Sequence, residues 1–431
     1  MRGGVVNVLL VADDLTGTFD GAVPFAPYGV HVLTRCRGGE DLCGLEPEAP
    51  VLAVNAETRH LDMEESARRV REIVKWGIEH GARVLVKKTD SALRGNIGAE
   101  LEGMIQGAGG GCVHFIPAFP RMGRVTRDGV QYVDGVPVAQ TVFGDDPFEP
   151  VAESRVSTIV SSQASAVDIF EVGLDDVERI GSEGIAVYDA LSEDDVRLRC
   201  DAVLKHSHCA LLAGCAGLSS ALAQVLFETG TGPVAADVRL ESFDSNMLVM
   251  CGSVNRVSAD QCAYAREHGA PSPELPLDAK LDPSWGDTEE AASFVEEALR
   301  DWSSSPVTVL DNSERFTREL IEGSGRVWDV EAIRSAVASC LGSVTARLVR
   351  AKGDCTVLVM GGDILQTFLM HMGIAELSII GEPLTGVVMS EFTSNGAVVR
   401  VISKSGGFGS PDLFISLQEK LAKQAGKGVL V

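Results

Sequence analysis

The run VVNVLLVADD, residues 5–14, is apolar with almost no alternation, rich in β-branched residues and closed by two carboxylates. A strand with one solvated face alternates polar and apolar side chains. A strand without alternation is buried on both faces, which calls for a parallel sheet covered by helices on each side. Similar runs return in RVLVKKTD, GCVHFIPAFP, GIAVYDA and CALLAGCAG. Between them lie segments of helical period: MEESARRVREIVKWGIEHGA, stopped by Gly81, then IGAELEGMIQ, EDDVRLRCDAVLKHS and LSSALAQVLFE. That order predicts an α/β architecture with mostly parallel sheets flanked by helices. DGVQYVDGVPV breaks the rhythm with Asp-Gly between alternating residues, which predicts a hairpin.

A chain of 431 residues is too long for one ordinary core, so two domains are expected. The stretch ETGTGPVAADVRLESFD, from Glu228, has no period and carries Gly, Pro and Asp, which places the division there, with domains at 1–235 and 236–431. The second half restarts with NMLVMCGSVN and the helical RVSADQCAYAREHG. VTVLD, a long helix through DVEAIRSAVASCLGSVTARLVRA, CTVLVMGGD and LQTFLMHMG follow, then short strands around GVVMSEF and AVVRVISKSGGFG.

Charge and cysteine usage narrow the partners. Lys and Arg number 37 against 61 Asp and Glu, a formal charge of −24, and aromatics make up 5%. That field opposes a phosphate backbone and leaves little surface for base stacking, so no nucleic-acid partner is expected. No signal pattern is visible and no apolar run approaches the ~18 residues of a membrane span, so no membrane partner is expected either. The ten cysteines form no C-x-x-C pair and sit mostly among apolar residues, which suits reduced thiols in a cytoplasmic protein. His206, His208 and Cys209 cluster in KHSHCALL but lack a fourth ligand; they read as a helix end entering a strand, and no metal-binding residue is expected. The sequence leaves the oligomeric state open, a homo-oligomer among the alternatives.

In open α/β sheets ligands bind beyond the carboxyl ends of the strands. In the first half those ends carry Asp13, Asp14, Thr16 and Gly17, then Lys87, Lys88, Asp90, Ser91, Arg94 and Asn96, then Arg121 and Arg124. Lys and Arg among Asp and Asn suit a small polyhydroxylated carboxylate: Arg grips a carboxylate at two points, and Asp can accept a hydroxyl proton. Helix capping by Asp14, Thr16, Asp90 or Ser91 is the competing explanation, and it accounts for one residue per terminus, not for the whole cluster. In the second half the ends are glycine-rich: Gly252, Ser253 and Asn255; Gly361, Gly362 and Asp363; Lys404, Ser405, Gly406, Gly407 and Gly409. Three such loops point to phosphates, although no P-loop motif is present and no G-x-G-x-x-G follows a strand in the first half.

ADDLTG with Asp20, KKTDSALRGNIGAEL, PAFPRMGRVTRDGVQYVDGVPV, AGCAGLSSALA, CGSVN, GGD and SKSGGFGSPD occur in an order, and over nearly the whole chain, that closely resembles the four-carbon acid sugar kinases. The resemblance implies a sugar-acid-binding N-terminal domain, a nucleotide-binding C-terminal domain, an active site in the cleft between them, and Mg²⁺-assisted transfer from ATP to a hydroxyl of threonate, erythronate or 3-oxo-tetronate. By the same resemblance Asp14, Lys88, Asp90, Ser91, Arg94, Asn96 and Arg124, with Asp13 beside them, would hold the acid. Ser253, Gly361, Gly362, Asp363, Gly406 and Gly407 would hold ATP. Asp14 or Asp90 would accept the hydroxyl proton, and Lys88 or Arg94 would neutralise charge. Three positions depart from the family pattern: Ala92 for Thr, Gln131 for His, and Ile364 for the Thr after GGD. The last motivates an alternative, a non-catalytic sugar-acid sensor. A two-domain dehydrogenase would need a dinucleotide fingerprint that the first half lacks.

Overall fold

The computed structural model describes residues 7–35, 42, 49–145, 150–164, 166–176, 179–228, 246–252, 255–282, 284–311, 330–404 and 408–425. The chain divides into two compact units, Met1–Val234 and Ala235–Val431. The division expected after residue 235 falls within 229–245, outside the described residues.

In the first unit the strands are β1 (Val8–Ala12), β2 (Val32–Arg35), β3 (Val51–Asn55), β4 (Val84–Lys88), β5 (Cys112–Ile116), β6 (Arg124–Arg127), β7 (Val130–Val133), β8 (Val136–Pro137), β9 (Ile169–Val172), β10 (Gly184–Tyr188) and β11 (Ala210–Gly214). Its helices are α1 (Leu15–Ala22), α2 (Met63–Glu79), α3 (Ile97–Ala108), α4 (Val156–Ser161), α5 (Glu193–His206) and α6 (Ala216–Phe227). The main sheet runs β2-β3-β1-β4-β11-β5-β10-β9, and every pairing in it is parallel. All residues of β1, β3 and β4 are buried, as the unbroken apolar runs require. Helix α2 presents Val70, Ile73, Val74 and Gly77 to the core at helical spacing, its N-terminus capped by Asp62. Helix α3 lies so close to α2 that a Cβ on Gly103 would sit 2.3 Å from the Ala67 carbonyl. The three short strands β6, β7 and β8 form an antiparallel sheet of their own. Its turns are Asp128-Gly129 (φ 51° and 73°) and Asp134-Gly135 (φ 50° and 81°), the positive-φ pairs that suit a two-residue hairpin.

In the second unit β12 (Met247–Cys251), β13 (Val307–Asp311), β14 (Cys355–Met360), β15 (Glu376–Leu384), β16 (Val387–Ser394) and β17 (Ala397–Lys404) run in the order β13-β12-β14-β17-β16-β15. The first four are parallel to one another, and β15-β16-β17 is an antiparallel meander. The helix Val330–Lys352 corrects one expectation. Its stretch Ala332–Lys352 is long and apolar enough to cross a membrane, but 72% of the apolar window is buried in the protein, as in a core helix. The eight cysteines among the described residues are free thiols, all buried except the half-buried Cys209. Helix α5 ends at His206 and β11 begins at Ala210, so the His-Cys cluster spans a helix end and a strand start.

Candidate active site

Parallel register aligns the strand ends of the first unit. Ala12 pairs with Asn55 on one side and Lys88 on the other, and Lys88 pairs with Gly214. The residues that follow β1, β3, β4 and β11 therefore emerge side by side.

At the centre of this edge is Arg59, which follows β3 and which the sequence reading did not single out. Its Nε lies 2.7 Å from Asp13 Oδ2 and its Nη2 3.1 Å from Asp14 Oδ2. Burial alone would lower the Arg59 pKa, but Asp13, Asp14 and Asp90 outweigh it and hold the guanidinium charged well above its usual range. Asp13 is 2% exposed. Burial pushes its carboxyl up, and Arg59, Lys87 and Lys88 together pull it below the ordinary value. Its Oδ1 is buried with no hydrogen-bond partner among the described residues. An ionised, buried carboxylate oxygen without a donor is costly unless something else supplies one.

Asp14 is the N-cap of α1. Its Oδ1 accepts from Gly17 N at 2.5 Å while its Oδ2 faces Arg59. Lys88 is 5% exposed, and its Nζ donates to the Thr89 carbonyl at 3.0 Å. Among the described residues it has no ion-pair partner. Gly17 has no side chain where these groups converge. A Cβ there would lie 2.7 Å from Asp14 Oδ1, 3.5 Å from Lys88 Nζ and 3.6 Å from Asp13 Oδ1. This small polar space offers an acceptor and an ammonium with donors to spare, which fits a hydroxylated anion.

The loop after β4 is held from within. Asp90 Oδ1 and Oδ2 receive Arg94 Nη2 and Nε at 2.9 and 3.0 Å, and Oδ2 also accepts from Ala92 N at 3.0 Å. Burial raises the Asp90 pKa, but Arg94, Arg59 and Lys88 overcome it and keep the carboxyl far below the carboxylate range. Ser91 sits in this loop, its carbonyl accepting from Gln131 Nε2 at 3.3 Å; the Gln131 Oε1 in turn accepts from the Thr126 hydroxyl. Leu93 adopts φ 68°, a conformation disfavoured for leucine, and is buried. Asn96 spends its Nδ2 on Thr58 O, Leu61 O and Ser66 Oγ, which ties down the stretch carrying Arg59. Beneath the site Lys87 Nζ and Glu100 Oε2 pair at 3.0 Å, 0% and 2% exposed. Glu100 also accepts from the Thr58 hydroxyl. A depression of about 370 Å³ is lined by Arg59, Arg94 and Asn96 together with 150–153, Thr158, Ile159, Ser162 and Gln163. Arg124, at the start of β6, has a buried Nε with no hydrogen-bond partner among the described residues.

In the second unit Cys251 pairs with Met360 and Met360 with Lys404, so the ends of β12, β14 and β17 also lie together. Gly361, at φ 113°, is the N-cap of the helix Gly362–Met372. A Cβ on it would meet little beyond the Ile364 side chain at 3.9 Å. Asp363 is paired with Arg334 at 3.0 Å. Ile364 is buried, and a Cβ on Gly252 would fall 1.7 Å from its Cδ1; the departure from Thr thus fills the space above Gly252. Burial brings the Lys404 ammonium down to about 8, Cys251 and Cys262 opposing the shift. Ser253, Gly406 and Gly407 lie outside the described residues.

A family model described as a sugar-binding N-terminal domain matches residues 8–222, and one described as a nucleotide-binding C-terminal domain matches residues 248–414. D-threonate kinase of Salmonella typhimurium is 30% identical over 421 residues, covering 94% of this chain and 96% of that protein. The chain belongs to the four-carbon acid sugar kinase family. A second member of the family, 3-oxo-tetronate kinase of Methylobacterium radiotolerans, is 26% identical, with 94% of this chain and 96% of that one covered. A solved structure from Salmonella typhimurium LT2 shares the fold, with a TM-score of 0.79 at 20% identity over 96% of this chain and 99% of that one. For a sugar-acid kinase, the buried cluster around Arg59 lies in the sugar-binding domain, and the Gly361 loop lies in the nucleotide-binding domain.

Proposed function

We propose that this protein is an ATP-dependent kinase that phosphorylates a hydroxyl of a four-carbon sugar acid of the threonate, erythronate or 3-oxo-tetronate type. The observation that carries the reading is the buried Asp13 Oδ1, without a partner among the described residues, beside the Lys88 ammonium, with Gly17 putting no side chain between them.

Phosphoryl transfer asks a protein chiefly to position the reactants and stabilise charge. The sugar-acid hydroxyl donates to Asp13 Oδ1, which takes its proton as the oxygen attacks the γ-phosphorus, the bond from that phosphorus to the bridging oxygen breaks, and ADP leaves with the bridging oxygen's electron pair. Asp14 and Asp90 already have both oxygens engaged, by Gly17 N and Arg59 and by Arg94 and Ala92 N, and serve as positioning groups. Arg59 keeps Asp13 ionised and oriented. Lys88 offers its remaining N–H donors to the anionic oxygens. Gly361 and the N-terminus of its helix offer backbone N–H groups to the ATP phosphates, and Lys404 a cation at the neighbouring strand end. Among the described residues no group of three or more His, Cys, Asp or Glu converges on a metal position. Mg²⁺, if it accompanies ATP, would supply charge neutralisation of the phosphates. Free, mostly buried thiols support a cytoplasmic location.

The test is ADP release from Mg-ATP in the presence of each four-carbon acid in turn. Release that depends on one of the acids is the expected result. Acid binding without ADP release would instead identify a sensor, and neither would overturn both readings.

A further inference from the structure

Phe143 stands near two guanidinium groups. Its ring centroid lies 5.5 Å from Arg94 Cζ and 5.8 Å from Arg124 Cζ, within cation–π range of both. The ring is itself well fixed. The Phe143 carbonyl accepts from Val151 N at 2.9 Å, its N–H donates to the Thr141 hydroxyl at 3.3 Å, and its side chain packs against a hydrophobic core of the first unit.

The two arginines differ in what else they touch. Arg94 is held by Asp90 through two bonds. Arg124 has its backbone locked to Phe119 at 2.7 and 3.1 Å. Its side chain has no ion-pair or hydrogen-bond partner among the described residues, and its Nε is buried. A half-buried guanidinium in that condition is costly to keep unless an anion completes it. With Arg94 neutralised and Arg124 not, the capacity to grip a carboxylate at two points belongs to Arg124.

We propose that Phe143 is a positioning residue for the substrate: its ring holds the Arg124 guanidinium ready for the carboxylate of the sugar acid, beside an Arg94 whose charge Asp90 already takes. The proposal rests on the sugar-acid kinase reading. It accounts for two cations gathered at one ring, an arrangement that self-repulsion would disperse unless anions and the ring's electron-rich face held it. It also makes the 138–144 turn part of the specificity machinery.

The test compares Phe143→Leu, which keeps an apolar side chain and removes the aromatic face, with Phe143→Tyr, which keeps the face. At saturating Mg-ATP, Phe143→Leu should raise KM for the sugar acid about 5- to 30-fold, the loss of one to two partly buried cation–π contacts, with kcat changed less than about twofold. Phe143→Tyr should restore the parent KM. Combined with Arg124→Gln, Phe143→Leu should add less than about twofold to the loss that Arg124→Gln causes alone, because the ring acts through that side chain. Affinity for the neutral four-carbon polyol, read by calorimetry, should not change. Tyr behaving like Leu, full additivity with Arg124→Gln, or equal losses for acid and polyol would overturn the proposal. If Phe143→Leu folds poorly, Phe143→Met takes its place in every comparison. Calorimetric acid binding to the same variants needs no turnover. A parent protein that binds acid without phosphorylating it would sink the kinase reading, and the variants would still decide the role of Phe143.

Discussion

Neutralising Glu100 should loosen the first unit and the active site together. Its carboxylate lies 3.0 Å from Lys87 Nζ, and the two side chains are 2% and 0% exposed, so the pair is desolvated. Glu100→Gln keeps the shape and removes the charge. Lys87 is then left buried without its counter-charge, its ammonium still donating to the Lys88 carbonyl at 2.8 Å, and breaking a buried pair in this way costs about 3–5 kcal/mol. Removing both charges in Lys87→Met/Glu100→Leu should be much milder. The residual cost is that of the Thr58 hydroxyl, which loses its acceptor, about 1–3 kcal/mol. Thr58 precedes Arg59, and both donate their backbone N–H to the Asp13 carbonyl, at 3.0 and 3.2 Å, so the sugar-acid KM should rise in every variant. Hydrogen exchange of the amides of β4 and α3 reads the stability of this unit by itself. A single-variant cost below about 1 kcal/mol, or a double variant as costly as the sum of Lys87→Met and Glu100→Gln, would refute the reasoning.

Three further outcomes follow from the same geometry. Gly361→Val places a branched side chain at φ 113°, where only glycine is at ease, and should abolish ATP binding by calorimetry while sugar-acid binding survives. Gly17→Ala puts a Cβ 2.7 Å from Asp14 Oδ1, so it should disturb the α1 cap, cost about 0.5–2 kcal/mol in urea unfolding, and raise the acid KM. Lys404, lowered by burial to about 8, loses its proton as pH rises through that value; ATP affinity should therefore weaken between pH 7 and 9, and Lys404→Met should flatten the dependence.

The parallel sheets were legible because strands buried on both faces leave continuous apolar runs, as in β1 and β4. β15 was not: ELSIIGEPL contains Gly and Pro and alternates in burial, a pattern that its antiparallel neighbour explains and a sequence window does not. The strand-end rule put Asp13, Lys88 and Asp90 at one sheet edge, where the structure has them, whereas Arg124 opens β6. It missed Arg59 because VLAVN was not recognised as β3; had it been, NAETRH would have been read as a strand end like the others. Asp90 and Arg94 look like ligand groups by composition, and in the fold they bind each other at two points. Ile364 looked like a lost hydroxyl, and proves to be the side chain that occupies the space above Gly252.

Asp13 is the group proposed to take the hydroxyl proton. The most direct measurement is kcat at saturating sugar acid and Mg-ATP for Asp13→Asn, set beside Asp14→Asn and Asp90→Asn. Asp13→Asn should lose about 10²–10⁴-fold in kcat while still binding the acid, and the other two should act mainly on KM. Asp13→Asn turning over within a few-fold of the parent, with Asp14→Asn or Asp90→Asn inactive, would contradict it.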